Sequence, residues 1–128
     1  MKLNNLRFRS GFEKTVYDQA TKGKRVLEFE PPDAIVHYVK PARKARYIPD
    51  FRLKNGILVE TKGRLTQVDR AKMLNVVRDN PDLDIRFVFQ RANQRITRSK
   101  NSLMYWEWAE RHGFKWCEGY IPDEWFDE

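Results

Sequence analysis

The most informative part of the sequence is residues 47–63, which read YIPDFRLKNGILVETKG. Apolar and polar side chains alternate over residues 51–53, and the strand predicted over residues 57–61 begins with three apolar residues, as buried strands do. Lys54-Asn55-Gly56 stands between the two runs, and Asn-Gly is a favoured hairpin turn. This stretch therefore predicts a β-hairpin whose second strand is buried.

The segment after the hairpin predicts a helix and then a second buried strand. Thr66 and Asp69 have the spacing of a capping box, and the helix stops at Asn80-Pro81. Its predicted apolar face consists of Val68, Ala71, Leu74 and Val77. Residues 85–89 form the next strand, and a strand, a helix and a strand in this order normally make a right-handed crossover with parallel strands.

The N-terminal third predicts one helix and two short strands. Ser10 and Glu13 form a capping-box pattern at the start of a helix that ends at residues 22–24. Residues 26–30 and 34–39 read as strands, and the proline in residues 40–43 indicates an exposed connector.

The C-terminal part predicts a further helix and an edge strand. Asn101-Ser102 would cap a last helix that runs through His112, and residues 114–117 would form the strand. Together these elements predict an α/β fold with a mixed central sheet flanked by helices. The length of the chain suits a single domain over residues 1–128.

The composition excludes several classes of protein. Hydrophobic residues make up 41% of the chain, which is too many for a disordered protein. No apolar segment approaches the length of a membrane span, and the N-terminus lacks the apolar core of a secretory signal. The one cysteine, Cys117, is typical of the reducing cytoplasm, where we expect the protein. The glycines form no phosphate-binding loop, so no nucleotide cofactor is expected.

The charge is distributed unevenly along the chain. Lys and Arg outnumber Asp and Glu by 25 to 18, yet residues 101–128 hold two basic and seven acidic side chains. A basic body favours a polyanionic partner, although ordinary solubility charge explains the overall balance equally well. Clustering of the cations favours contacts with the phosphate backbone of DNA. The candidate DNA-binding residues are Arg9, Arg43, Lys44, Arg46, Arg64, Arg91, Arg95, Arg98 and Lys100.

Three ionisable side chains are expected to meet at the open end of the predicted hairpin. Asp50 precedes its first strand, and Glu60 and Lys62 end its second. In a strand, Glu60 and Lys62 point to one face and Thr61 points to the other. A symmetric turn at Asn55-Gly56 would bring Asp50 opposite residue 61 or 62, within side-chain reach of both charged groups.

Two carboxylates and a lysine in this arrangement suit the hydrolysis of a phosphodiester. Carboxylate oxygens are ligands that Mg²⁺ prefers, and a neighbouring ammonium group can orient water or stabilise the charge that develops on the phosphorane. The alternative is a surface ion pair, because this spacing is common. Pro49 before Asp50 and the apolar residues 57–59 before Glu60 favour the metal site, since ionisable groups at the end of a buried strand are costly without a partner or a function.

The same residues resemble the signature of the PD-(D/E)xK nuclease superfamily, through Pro49-Asp50 and Glu60-Thr61-Lys62. Longer blocks resemble the endonuclease I family of the T-odd bacteriophages, whose members are Holliday junction resolvases. The blocks run in one order along nearly the whole chain, which makes them far more specific than the short signature. They are residues 8–11, 47–51, 55–57, 59–63, 81–86 and 121–125.

The resemblance implies a PD-(D/E)xK core and a role for each residue of the hairpin site. Asp50 and Glu60 would bind a first divalent ion, with the carbonyl oxygen of Thr61 as a further ligand. Lys62 would be the catalytic lysine. Glu13 would be the remaining catalytic carboxylate and would hold a second ion together with Asp50. The cofactor would be Mg²⁺, two ions per active site, with Mn²⁺ able to substitute.

Glu13 also has a simpler explanation. As the third residue of a capping box it would accept a hydrogen bond from the amide of Ser10. The spacing alone favours the cap, the resemblance favours catalysis, and the two roles are compatible.

The resemblance further implies an intertwined, domain-swapped homodimer in which an extended segment near residues 34–46 is exchanged between subunits. Each active site would then combine Glu13 of one chain with Asp50, Glu60 and Lys62 of the other. Two such sites related by a two-fold axis would match the two-fold symmetry of a four-way DNA junction.

The expected function is therefore magnesium-dependent resolution of four-way and branched DNA junctions, in recombination, in the cytoplasm of a phage-infected bacterium. Cleavage would leave a 5′-phosphate and a 3′-hydroxyl. Two alternatives stay open at this point. One is another PD-(D/E)xK nuclease that acts on mismatched or nicked DNA, and the other is a nucleic-acid-binding module without catalysis. Neither a membrane nor a nucleotide cofactor is expected as a partner.

Overall fold

The computed structural model describes residues 6–40 and 43–128. The helices in this part of the chain are α1 (Gly11–Ala20), α2 (Gln67–Asp79), α3 (Tyr105–Arg111) and α4 (Asp123–Phe126), and a 3-10 turn lies at Lys22–Lys24. The strands are β1 (Leu27–Phe29), β2 (Val36–Lys40), β3 (Arg43–Tyr47), β4 (Phe51–Leu53), β5 (Leu58–Lys62), β6 (Ile85–Phe89) and β7 (Lys115–Glu118).

The centre of the molecule is a five-stranded sheet with the strand order β1-β4-β5-β6-β7. Neighbours among β1, β4 and β5 are antiparallel, whereas β5, β6 and β7 run parallel. Helix α2 connects the parallel neighbours β5 and β6. The prediction of an α/β fold with a mixed central sheet is confirmed, and so is the strand–helix–strand unit.

Helices flank this sheet on both faces because successive strand side chains point to opposite sides. One face packs with α1 and α4, through Val16, Val59, Val88 and Trp125. The other face packs with α2 and α3, through Leu58, Met73, Phe87 and Trp108. Burial of one large apolar side chain stabilises a folded protein by about 1.5–3 kcal/mol. The two clusters therefore supply much of the free energy that holds the helices on the sheet.

The predicted capping box of α2 is confirmed, but its predicted buried face is wrong. The hydroxyl of Thr66 accepts from the amide of Asp69, and the Asp69 carboxylate accepts from the amide of Thr66. Val68 is 74% exposed, and the buried positions are Met73 and Val76. A strict three-residue repeat drifts around a helix of 3.6 residues per turn by about 60° at each step, so such a stripe does not define one face.

Residues 43–47 form strand β3, whereas the sequence pattern predicted only an exposed connector over residues 40–43. β3 pairs with β2 in a separate antiparallel hairpin whose register runs from Val36 opposite Tyr47 to Lys40 opposite Arg43. In the predicted connector, residues 41–42 lie outside the described part of the chain. The amide of Val39 donates to the carboxylate of Asp79 on α2 over 2.7 Å, which holds the hairpin against that helix.

The helix predicted after Asn101-Ser102 is α3, which begins two residues later than a Ser102 cap implies, at Tyr105, with Met104 at its N-cap. It is not the last helix, because α4 follows it. Ser102 does not cap it, because its hydroxyl donates to the carbonyl of Ser99 over 2.9 Å and so closes a turn in the preceding loop. The predicted edge strand is confirmed as β7. Among the helices of residues 6–40 and 43–128, none has the length and apolar character needed to cross a bilayer.

Candidate active site

The β4–β5 hairpin sets the position of the three side chains expected to meet. The amide of Leu53 donates a 2.8 Å hydrogen bond to the carbonyl of Ile57 and closes the turn, so the loop has three residues. Gly56 has the positive φ of 95° that this loop requires. Because Phe51 pairs with Val59, Asp50 falls opposite Glu60. The prediction that Asp50 lies opposite residue 61 or 62 is wrong, because the loop contains one residue more than a two-residue Asn-Gly turn.

Asp50 is held at the start of β4 by Thr61. Its carboxylate oxygen Oδ2 accepts hydrogen bonds of 2.9 Å from both the amide and the hydroxyl of Thr61, and the residue is only 8% exposed. Burial raises the pKa of Asp50, although the two hydrogen bonds oppose this rise. The side chain of Thr61 therefore points towards Asp50.

Glu60 lies on the opposite side of β5 from Thr61 and is 7% exposed. Its oxygen Oε1 accepts a 2.8 Å hydrogen bond from the buried hydroxyl of Tyr47, and Oε2 lies 3.4 Å from the Lys62 ammonium group. Burial and the negative charge of Asp50 raise the pKa of Glu60 to about 8, despite the opposing effects of Lys62 and Tyr47. A carboxylate with this pKa is stabilised in its ionised form when a cation binds beside it.

Lys62 is clamped between two carboxylates. Its Nζ lies 3.4 Å from Oε2 of Glu60 and 3.3 Å from Oδ1 of Asp69, the residue in the capping box of α2. Burial alone would lower the pKa of Lys62, but Glu60 and Asp69 outweigh it, so the pKa is raised and the group stays charged. The prediction that Glu60 and Lys62 share one face of β5 is confirmed by their contact.

Glu13 lies near this cluster from helix α1. Its amide donates to the Ser10 hydroxyl over 3.1 Å, as predicted, but its carboxylate accepts from the amide of Arg9 and not from that of Ser10. The pKa of Glu13 is raised by burial and then by the charge of Asp50, so the two carboxylates interact within one chain. Glu13 therefore combines a helix cap with a place beside Asp50.

The donor chemistry of the site fits a hard divalent cation. Within the described ranges, no three or more His, Cys, Asp or Glu side chains are grouped closely enough to form a complete ligand set. The residues that could hold an ion are Asp50 and Glu60, with the Thr61 carbonyl and water as further oxygen ligands, and this is the set that Mg²⁺ takes. The two carboxylates are buried and both have raised pKa values, so positive charge between them would offset their desolvation.

All nine predicted DNA-binding residues are exposed. Three lie on β3, which are Arg43, Lys44 and Arg46. Four lie on the loop after β6, which are Arg91, Arg95, Arg98 and Lys100. The start of that loop is tied to the site, because the amide of Gln90 donates to the Lys62 carbonyl over 3.0 Å. Arg64 follows Lys62 by two residues. Nε of Arg9 lies 3.4 Å from Oε2 of Glu30.

Two residues that contact the site were missed by sequence reasoning. From sequence, Tyr47 belongs to the block of residues 47–51 without a role in the site, and Asp69 is predicted only as part of a helix cap. No motif spacing links either residue to Glu60 or Lys62, because each reaches the site from a different element. The hydroxyl of a tyrosine just before Pro49-Asp50 was the one available signal for Tyr47.

Comparison with known proteins confirms the resemblance to the phage endonuclease I family. The family model for phage endonuclease I matches residues 2–128. Endonuclease I of Escherichia phage T7 is 42% identical over 122 residues, which cover 94% of this chain and 79% of that protein. Endodeoxyribonuclease 1 of Enterobacteria phage T3 is 38% identical over 116 residues, which cover 90% of this chain and 74% of that protein. The chain belongs to the phage endonuclease I family.

Proposed function

We propose that this protein is a magnesium-dependent endodeoxyribonuclease of the PD-(D/E)xK type that cuts four-way and other branched DNA junctions. The observation that carries the proposal is the buried carboxylate pair, Asp50 and Glu60, with the Lys62 ammonium group 3.4 Å from Glu60. Membership in a family whose T7 and T3 proteins are named as nucleases supports the reaction class.

In this proposal the carboxylates hold the metal ions. Asp50, Glu60 and the Thr61 carbonyl would bind one Mg²⁺, and Glu13 with Asp50 would bind another. When bound, Mg²⁺ supplies the positive charge that polarises the phosphate and lowers the pKa of water. The polypeptide excludes bulk solvent around Asp50 and Glu60, so charges within the site are screened less than on the surface.

Lys62 would stabilise the negative charge that develops on the non-bridging phosphate oxygens during in-line attack by water. It is suited to this because Glu60 and Asp69 keep it protonated and fix its position on both sides. The bond to the 3′ oxygen would break, which leaves a 5′-phosphate and a 3′-hydroxyl.

The exposed cations would bind the DNA backbone and not its bases. Those of β3 and those of the loop after β6 are all exposed, as contacts with phosphates require. In the single subunit Glu13 lies beside Asp50 of its own chain. We further propose a homodimer in which the segment near residues 34–46 is exchanged, so that Glu13 of one chain takes this place beside Asp50 of the other. Two sites would then cut two strands symmetrically.

The test is a cleavage assay with four substrates, namely a four-way junction, a mismatched duplex, a nicked duplex and a fully paired linear duplex. With Mg²⁺ or Mn²⁺ we expect symmetric cuts in the junction and little cutting of the linear duplex. With Ca²⁺ or a chelator we expect binding without cutting. Asp50→Asn serves as the inactive control, because it removes an anionic ligand.

The other outcomes identify the alternatives. Faster cutting of the mismatched or nicked duplex than of the junction would assign the protein to a different substrate class of the same superfamily. Binding of DNA with no cutting of any substrate in Mg²⁺ would identify a non-catalytic module.

A further inference from the structure

Tyr47 makes a buried hydrogen bond to one of the carboxylates of the site. The residue is 1% exposed at the end of β3, and its hydroxyl donates to Oε1 of Glu60 over 2.8 Å. A buried carboxylate that accepts from a buried hydroxyl loses freedom of rotation, because another rotamer would break this hydrogen bond and leave the buried hydroxyl without a partner.

The hydrogen bond leaves the geometry needed to bind a cation. Each oxygen of Glu60 has one partner from the protein, Tyr47 at Oε1 and Lys62 at Oε2. A carboxylate oxygen has about two lone-pair sites, so each oxygen keeps one acceptor position for a cation or water. Tyr47 therefore fixes the carboxylate without occupying the whole of it.

Tyr47 is itself held rigidly by three elements. It belongs to β3, it pairs with Val36 of β2, and the Lys72 ammonium group of α2 lies 5.3 Å from the centre of its ring. The same strand carries the exposed cations Arg43 and Arg46. One hydroxyl thus connects the β2–β3 hairpin to Glu60.

We propose that Tyr47 is a positioning residue that orients Glu60 for a divalent cation and connects the carboxylate site to the β2–β3 hairpin. This inference rests on the proposed function, because it assigns Tyr47 a part in binding the metal of that site. Tyr47 acts through Glu60 and does not contact DNA or the reacting phosphate. Outer partners of metal ligands typically change metal affinity by about 10- to 100-fold when they are removed.

The test compares Tyr47→Phe with Tyr38→Phe, a matched control. Tyr38 is also buried on the same hairpin, at 4% exposure, but it pairs with Ala45 and does not contact Glu60. Calorimetric titration with Ca²⁺ alone should show affinity that is weaker by about 10-fold or more for Tyr47→Phe and unchanged for Tyr38→Phe. Cleavage by Tyr47→Phe should recover as Mg²⁺ is raised, which a purely structural defect would not do.

Two results would overturn the inference. Equal Ca²⁺ affinity in the two variants, with normal Ca²⁺ binding and cleavage by the unsubstituted protein, would remove the role of Tyr47 and leave the proposed function intact. If the unsubstituted protein neither binds Ca²⁺ nor cuts DNA in Mg²⁺, the proposed function fails and the inference fails with it.

A double-variant cycle covers the case in which Tyr47→Phe does not fold. In a Glu60→Gln background the partner of the hydroxyl is neutral, so we expect the added Tyr47→Phe substitution to leave a folded protein. A double variant that also fails to fold would show that Tyr47 stabilises the fold independently of the charge on Glu60, which overturns the inference.

Discussion

The ammonium group of Lys62 lies 3.3 Å from Oδ1 of Asp69, whose other oxygen accepts the amide hydrogen of Thr66. One carboxylate therefore closes the N-terminus of α2 and also holds the lysine of the candidate site. Because β5 ends at Lys62 and α2 begins at Gln67, the cap links the two elements over a short loop. The position of Lys62 thus depends on Asp69, the carboxylate in the cap of α2.

This relationship predicts different effects for two substitutions in the same cap. Asp69→Asn keeps an oxygen that accepts from Thr66 but removes the charge beside Lys62, so cleavage should fall by about 10-fold. Thr66→Ala removes the hydroxyl that accepts from the amide of Asp69. This change should lower the unfolding free energy by about 1 kcal/mol and leave the cleavage rate almost unchanged. Single-turnover cleavage and urea unfolding of both variants test this. Equal cleavage rates for the two would show that Asp69 acts only as a cap.

The raised pKa of Glu60, about 8, predicts how stability depends on pH when no metal is bound. The folded protein holds a proton on Glu60 at pH values where the unfolded chain has released it. The contribution of this group is therefore complete below the ordinary pKa near 4.5 and is lost as the pH rises towards 8. One such group changes the unfolding free energy by up to about 1.4 kcal/mol per pH unit.

Urea unfolding in a chelator between pH 5.5 and 8.5 measures this dependence. The unfolding free energy should decline less steeply with rising pH in Glu60→Gln, because glutamine does not titrate. The difference between this curve and that of the unsubstituted protein separates the contribution of Glu60 from that of the histidines. Parallel curves for the unsubstituted protein and Glu60→Gln would mean that Glu60 titrates normally.

The loop after β6 predicts a change in the salt dependence of DNA binding. Arg95 and Arg98 are both exposed on this loop, so replacing both with Ala should weaken junction binding and reduce the slope of log affinity against log salt by about 2. The matched control replaces Arg111 and Lys115 with Ala. Both are exposed cations outside the loop, because Arg111 is the last residue of α3 and Lys115 the first residue of β7. Filter binding at several salt concentrations gives the slopes. An unchanged slope in the loop variant would place that loop off the DNA.

Much of the sheet could be predicted from sequence because local signals agreed with the tertiary structure. The apolar run before Glu60, the capping box at Thr66 and the apolar residues 85–89 each point to one element, and together they gave β5, α2 and β6. Strand β3 could not be predicted in this way, because most of its residues are exposed Arg and Lys and only Ala45 and Tyr47 pack against the core.

Residue spacing predicted the site only as far as the hairpin itself, and Glu13 was expected there only from the family resemblance. The contacts of Tyr47 with Glu60 and of Asp69 with Lys62 depend on how β3 and α2 pack, which no spacing along the chain encodes. A similar case lies away from the site at Arg86, which is 1% exposed on β6. The sequence gives no sign of this burial, which is compensated by ion pairs with Asp84 and with Glu128 at the far end of the chain.

The most direct measurement is the comparison of Lys62→Ala with the unsubstituted protein in single-turnover cleavage of a four-way junction with Mg²⁺. Lys54→Ala, an exposed lysine in the turn of the same hairpin, is the control. We expect Lys62→Ala to cut slower by about 10²- to 10³-fold, to bind the junction normally in Ca²⁺, and Lys54→Ala to cut normally. Cleavage by Lys62→Ala at the unsubstituted rate would contradict the assignment of the β4–β5 hairpin as the active site.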